Sequence, residues 1–168
     1  PIPLHFTDEF NAPETAAWTS FQTGGETTPT LAIENGLLRF DITSANTWYY
    51  AIHSAHEYND ISVTAKFSGP QSGSAGLICR YSESGWFEFN LASDGTYNVL
   101  LGQWLTDGIA TYLPIASDPS EYLTPGSMGY EIGLTCQENF LFLYINGKLF
   151  RKLDVARYEL NEGKVGIS

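Results

Sequence analysis

Trp86, Glu88 and Asn90 occupy alternate positions of the run Trp86-Phe87-Glu88-Phe89-Asn90-Leu91. Alternate residues of an extended chain share one face. This spacing therefore sets an aromatic plane beside a carboxylate and an amide. A sugar needs that mixture: a flat apolar surface for its C–H face, and groups that hydrogen-bond adjacent hydroxyls. We read the three as the outward, ligand-facing side of a strand, with Phe87, Phe89 and Leu91 on the other side. Arg80, on the preceding strand, is placed opposite Glu88 and within reach of it. Trp48, Tyr50 and Trp104 are read as further stacking platforms. A structural alternative stands beside this one, since Trp and Tyr are ordinary sheet formers and Arg80–Glu88 is a reasonable cross-strand pair.

Other chemistry is poorly supported. Glycoside hydrolysis needs two carboxylates about 5–10 Å apart, and the jelly-roll glucanases carry them on one strand as E-x-D-x-E. That pattern is absent: the next same-face residue after Glu88 is Asn90, and after Glu131 it is Gly133. No nucleophile elbow supports Ser/His/Asp catalysis. The residues thus read as a non-enzyme. His53, His56 and Glu57 form a His-rich cluster, but the local pattern reads as a strand end and turn. We expect a solvent-facing pair and no metal site. A structural calcium ion at Asp60 or Asp8 is the one cofactor worth weighing; otherwise none is expected. The loop from 106 to 127, with Asp107, Gly108, Asp118, Glu121 and Tyr122, is a second place for a ligand. Cys79 and Cys136 are the only cysteines, and they lack metal or redox spacing. They read either as one disulfide or as two buried thiols.

Composition narrows the partners. The 168-residue chain carries 8 basic and 19 acidic residues, a formal charge of −11. Phosphate contacts need a basic footprint, so nucleic acid is excluded, and an anionic membrane surface is disfavoured. No apolar run approaches the roughly 18 residues of a membrane span. Hydrophobic residues make up 43% and charged residues only 16%, the balance of a secreted β-protein. The sequence opens at Pro1 with no basic or apolar leader. We read it as extracellular, with a signal peptide removed, or as an excised domain.

The elements that must position these residues are strands. Sustained helical periodicity is absent, whereas period-2 alternation runs through 38–42, 61–67 and 86–91. Leu141-Phe142-Leu143-Tyr144-Ile145 is apolar on both faces and reads as a buried strand. Asn35-Gly36, Asp94-Gly95 and Asn146-Gly147 are hairpin turns, and 82–85 links two strands. Segments 69–76 and 117–127 read as loops. About a dozen short strands at such spacing predict an all-β, antiparallel β-sandwich of jelly-roll type in one domain, 1–168.

Several segments, taken in order, resemble a known group. They are Phe6-Thr7-Asp8-Glu9-Phe10 with Trp18; Asn35-Gly36-Leu37-Leu38; Ala75-Gly76-Leu77-Ile78-Cys79-Arg80-Tyr81 into Gly85-Trp86-Phe87-Glu88-Phe89; and Asp94-Gly95-Thr96-Tyr97. Ile132-Gly133-Leu134-Thr135-Cys136, Leu143-Tyr144-Ile145-Asn146-Gly147 and Gly163-Lys164-Val165-Gly166 complete the series. The order is similar to concanavalin A-like, laminin-G-like jelly-roll domains of bacterial secreted and surface proteins. That group includes sugar-binding modules and the keto-disaccharide hydrolase-like domain. The resemblance implies two antiparallel sheets with a concave face, and pairing of Cys79 with Cys136. It implies no single activity. Such domains usually continue past the Gly-Val-Gly strand, so the resemblance also implies a missing last strand, through truncation or because another chain supplies it, and an open sheet edge near residues 5–10. A glycan or cell-surface polysaccharide is the expected partner of a non-catalytic binding module. Self-assembly as a structural or adhesive subunit through the open edge is the alternative, and a glycosidase-like enzyme ranks third.

Overall fold

Asn35-Gly36 and Asn146-Gly147 each place two consecutive residues at positive φ, 53° and 72° in the first and 50° and 76° in the second. Both central residues of a type I′ turn require that conformation, and its twist matches the strands it joins. The first turn joins β2 (Thr30–Glu34) to β3 (Leu37–Asp41), and the second joins β11 (Phe140–Ile145) to β12 (Lys148–Asp154). A computed structural model describes residues 5–12, 17–69, 72–127 and 129–168. The other strands are β1 (Trp18–Gly24), β4 (Thr47–Tyr58), β5 (Ile61–Phe67), β6 (Ser74–Ser82) and β7 (Gly85–Ala92). They continue with β8 (Thr96–Thr106), β9 (Ile109–Pro119), β10 (Tyr130–Gln137) and β13 (Gly163–Ile167). A single 3-10 turn, Ala156–Tyr158, precedes β13.

Seven strands form one sheet in the order β1-β4-β13-β6-β7-β8-β9, and four form a second in the order β12-β11-β10-β5. The β2–β3 hairpin stands apart from both. Every pairing is antiparallel. Between the sheets lies the main core. Leu77, Cys79, Phe87, Phe89 and Leu91 come from the large sheet, and Ile132, Leu134, Cys136, Leu141 and Leu143 from the small one. Cys79 and Cys136 are joined in a disulfide that ties β6 to β10, one sheet to the other. It closes a loop of 57 residues, which in the chain-entropy account is worth about 4 kcal/mol.

The architecture is the β-sandwich expected from the alternation. Several local readings differ. Segment 141–145 is buried on one face only: Leu141, Leu143 and Ile145 face the core, while Phe142 and Tyr144 are half-buried on the outside. Strand β9 runs on to Pro119, so the loop read at 117–127 is shorter, and Leu123 within it is buried. Strand β6 begins at Ser74, inside the loop read at 69–76, of which residues 70 and 71 lie outside the described residues. Residues 5–10 form no strand. The sheet edges are instead β1 and β9 in the large sheet and β5 and β12 in the small one. His53 and His56 sit inside the long strand β4, not at its end. His53 is buried against Phe6 and Trp18, and burial lowers its pKa; His56 is half-buried beside Tyr58.

Candidate functional site: the concave face of the large sheet

Strands β1 and β9 are opposite edges of the seven-stranded sheet, yet Thr23 Oγ1 on β1 and Tyr112 Oη on β9 lie 2.6 Å apart. The sheet therefore curls until its edges meet over one face, which is concave. Trp86, Tyr50, Ile52 and Ile78 are buried there, packed by Phe21, Tyr81, Trp104, Ala110 and Tyr112. This is a second hydrophobic core, separate from the one between the sheets. Aromatic pairs knit it together. Phe21 stacks on Tyr50 at 4.6 Å and on Tyr81 at 5.3 Å, and Trp86 meets Trp104 at 5.2 Å and Tyr50 at 5.6 Å. Such pairs contribute roughly 0.5–1.5 kcal/mol each beyond their buried area.

Register explains how Trp86 fits. It lies opposite Gly102 on β8, which lies opposite Tyr112 on β9. A Cβ at position 102 would overlap the Trp86 indole. Glycine there opens the socket that the indole fills. The indole Nε1–H has no hydrogen-bond partner among the described residues.

A continuous chain of side-chain hydrogen bonds crosses the same face. Ser117 Oγ donates to Asn98 Oδ1 at 2.7 Å, Asn98 Nδ2 to Asn90 Oδ1 at 3.0 Å, and Asn90 Nδ2 to Glu88 Oε1 at 2.8 Å. On the other side of the carboxylate, Tyr50 Oη lies 2.9 Å from Glu88 Oε2 and 3.1 Å from Tyr112 Oη, which reaches Thr23. Both oxygens of Glu88 are thus held by protein groups. Burial pushes its carboxyl up from the ordinary range, and the hydrogen bonds from Asn90 and Tyr50 oppose that shift. Tyr50 and Tyr112 are likewise raised by burial, with the Glu88 charge adding to it.

The structure brings Trp48, Tyr50, Trp86, Glu88, Asn90 and Trp104 to one face, as the alternation implied. It corrects their exposure. Trp86, Glu88 and Asn90 are 0, 2 and 4% exposed, so they face a filled interior and not solvent. Tyr50 is fully buried too, and Trp104 half-buried. Trp48 alone is well exposed, at 42%, with its ring stacked on Tyr112 at 5.6 Å on the rim of the cluster. The physical reason is the curl: strand alternation assigns a side chain to a face, but only closure of the sheet decides whether that face is wet.

Arg80 does not meet Glu88. Ile78 is the residue opposite Glu88. The ladder breaks after Cys79, and Arg80 takes φ +54°, as a residue in a bulge can. Its guanidinium is turned to the end of the sandwich and buried there, 2% exposed. It donates to the carbonyls of Asn59 (3.2 and 3.3 Å), Glu138 (2.7 Å) and Leu160 (2.8 Å), with Asp60 at 3.8 Å. Arg80 is a buried clasp on three loops. The carboxylates weighed for calcium already have protein donors. Asp60 Oδ1 accepts from the Glu138 N–H at 2.8 Å, and Asp8 accepts from the Phe10 N–H and Trp18 Nε1 at 2.9 Å each. Among the described residues, no three metal-binding side chains gather. Sequence reasoning missed Tyr112, Gly102, Asn98 and Thr23. Tyr112 and Thr23 sit on edge strands far apart in sequence, and nothing local signals that they meet.

No protein-family model matches the chain, and no curated protein does. Solved structures do. A CBM66 carbohydrate-binding module from Bacillus subtilis aligns with TM-score 0.65 at 14% identity, covering 90% of this chain and 86% of that one. A glycoside hydrolase family 16 endo-glucanase from Bacteroides ovatus aligns with TM-score 0.64 at 11% identity, over 96% and 83%. A galectin-like protein of unknown function from Bacillus subtilis aligns with TM-score 0.66 at 11% identity, over 95% and 86%. The chain has the concanavalin A-like jelly-roll fold. At these identities the likeness is one of fold, and the fold hosts both binding modules and hydrolases.

Proposed function

We propose that the protein is a non-catalytic, extracellular carbohydrate-binding module. The observation that carries this reading is the sealed concave face. Glu88 is the sole carboxylate in the hydrogen-bonded chain across it, both its oxygens are occupied, and aromatic side chains fill the space a scissile sugar would need. Hydrolysis by a carboxylate pair needs a second acid or base about 5–10 Å away, with room for substrate between them. What the face does offer is its rim. Trp48 presents an open indole held rigid by Tyr112, which suits stacking against a pyranose ring. The neighbours in fold space include a carbohydrate-binding module and glycoside hydrolases, which favours a sugar as ligand. The disulfide between the sheets supports an oxidising, extracellular setting. No helix among the described residues is long and apolar enough to cross a membrane.

Affinity electrophoresis through gels carrying mixed-linkage β-glucan or β-1,3-glucan tests the reading. Retardation is expected, with Trp48→Ala reducing it at least fivefold. Release of reducing ends from either glucan, abolished by Glu88→Gln, would overturn the non-catalytic assignment.

A second reading, a structural or adhesive subunit, is favoured by one feature. Leu105, Ile109 and Leu113 on the β8–β9 hairpin are 68, 55 and 46% exposed beside the free edge of β9. An exposed apolar edge strand is a template for pairing with another chain. Light scattering behind a sizing column separates the two: a concentration-independent monomer removes the assembly reading.

A further inference from the structure

We propose a second polysaccharide-binding surface, on the outer face of the small sheet, centred on Tyr144 and Gly133. It rests on the carbohydrate-binding reading above but not on the concave face.

That outer face carries Phe140, Phe142 and Tyr144 at alternate positions of β11, and no element among the described residues packs over them. Phe140 and Phe142 are partly covered by Lys152, whose Nζ lies 3.8 and 5.2 Å from their ring centroids. Tyr144 has no such cover. Its cross-strand partner is Gly133 on β10, and the partner of Gly133 is Thr64 on β5. The backbones of Tyr144 and Thr64 therefore stand two strand spacings apart, about 9–10 Å, with their side chains closer. Between them there is only glycine backbone. A Cβ at 133 would sit 2.9 Å from the Tyr144 Cβ and 3.5 Å from Thr64 Cγ2, filling the gap.

The result is a trough of about 300 Å³ lined by Ser62, Thr64, Glu131, Gly133, Tyr144 and Gly147. That is the lower end of the range for ligand sites, about 300–1,000 Å³. One wall is the Tyr144 ring; the other carries the Thr64 methyl and the Ser62 hydroxyl, which is paired with Thr135 Oγ1 at 2.7 Å, and the Glu131 carboxylate borders the trough. Among the described residues, no group donates a hydrogen bond to that carboxylate. An adjoining depression of about 350 Å³ also borders Glu131 and adds Lys66, Phe67 and Asn146. An aromatic ring beside an open carboxylate matches a sugar lying on the sheet surface, its C–H face against Tyr144 and its hydroxyls to Glu131. The two depressions share Glu131, which suits an extended chain. With a formal charge of −11 on the molecule, a sulfated or uronic acid polymer is repelled. The occupant is a neutral, pyranose-based polysaccharide.

The test uses the unmodified, isotopically labelled protein, titrated with mixed-linkage β-glucan oligosaccharides and followed by amide NMR. Shifts are expected at Thr64, Gly133, Tyr144 and Gly147, together with a set at the Trp48 rim. In affinity gels of the same glucan, Tyr144→Ala is expected to weaken retention at least tenfold and Glu131→Gln at least threefold, with unchanged melting temperatures. κ-Carrageenan, a sulfated polymer, should give no shifts. Shifts confined to the Trp48 rim, with Tyr144→Ala retained normally, would remove the second surface and leave the binding-module reading intact. No shift anywhere and no retention would remove both. Shifts at the trough with carrageenan equal to those with glucan would overturn the neutral-ligand assignment.

Discussion

Thr23 and Tyr112 meet at 2.6 Å although their strands are the two outermost of one seven-stranded sheet. That contact turns an open concave cleft into a closed second core. It joins a hydrogen-bonded chain that runs from Ser117 through Asn98, Asn90, Glu88, Tyr50 and Tyr112. The concave face is filled by the protein's own aromatic residues.

Trp86 is therefore expected to matter for folding and not for ligand contact. Trp86→Ala should destabilise by about 3–5 kcal/mol, the usual cost of truncating a fully buried aromatic residue. Trp86→Phe should cost less, because it keeps an aromatic ring in the socket opposite Gly102. Urea denaturation curves read both values. A Trp86→Ala protein of normal stability would contradict the packed concave face.

Glu88 gives the protein a pH-dependent stability of definite sign. Its folded pKa is raised above the ordinary value of 4.5, so the folded state holds the proton longer than the unfolded chain. Its contribution is fully present below about pH 4.5 and declines as pH rises through the folded value. Glu88→Gln should flatten this decline. The amide can still accept from Asn90, and Tyr50 can turn its hydroxyl to donate to Tyr112 while accepting from the new NH2. Denaturation midpoints between pH 4 and pH 8 check the prediction; an equal slope in both proteins would sink it.

Arg80 should be a stability residue with no role in binding. Arg80→Met keeps much of the aliphatic volume but strands the carbonyls of Asn59, Glu138 and Leu160. The Leu160 carbonyl is buried, and left without a donor it costs about 1–3 kcal/mol, whereas water can reach the carbonyls of the exposed Asn59 and Glu138. We expect a loss of about 1–3 kcal/mol in urea denaturation, with polysaccharide retention of the folded fraction unchanged.

Reducing the Cys79–Cys136 bridge should cost about 2–5 kcal/mol. The double variant Cys79→Ala/Cys136→Ala should show the same loss with or without reductant. Unfolding midpoints in the presence and absence of dithiothreitol measure it. A wild-type midpoint insensitive to reductant under fully denaturing cycles would argue against the bridge.

The class of fold was legible in the sequence because strand alternation and turn residues are local. Asn35-Gly36 and Asn146-Gly147 announce hairpins by needing positive φ, and residues 86–91 alternate without interruption. The facing of Trp86, Glu88 and Asn90 followed from the same rule. So did the small face of Phe140, Phe142 and Tyr144, but there apolar residues on both sides of β11 read as a buried strand.

What the sequence determined by itself was the two-sheet sandwich, the side of each strand on which a residue falls, and an acidic surface that turns away polyanions. Tertiary structure alone decided the rest. Exposure of Trp86 depends on β1 and β9 closing over it, a contact between Thr23 and Tyr112 that lies 89 residues apart in the chain. The partner of Arg80 depends on a bulge after Cys79 that shifts its side chain off the face its position implies. Both are effects of curl and register, which arise from the whole sheet and leave no mark on any short stretch of residues.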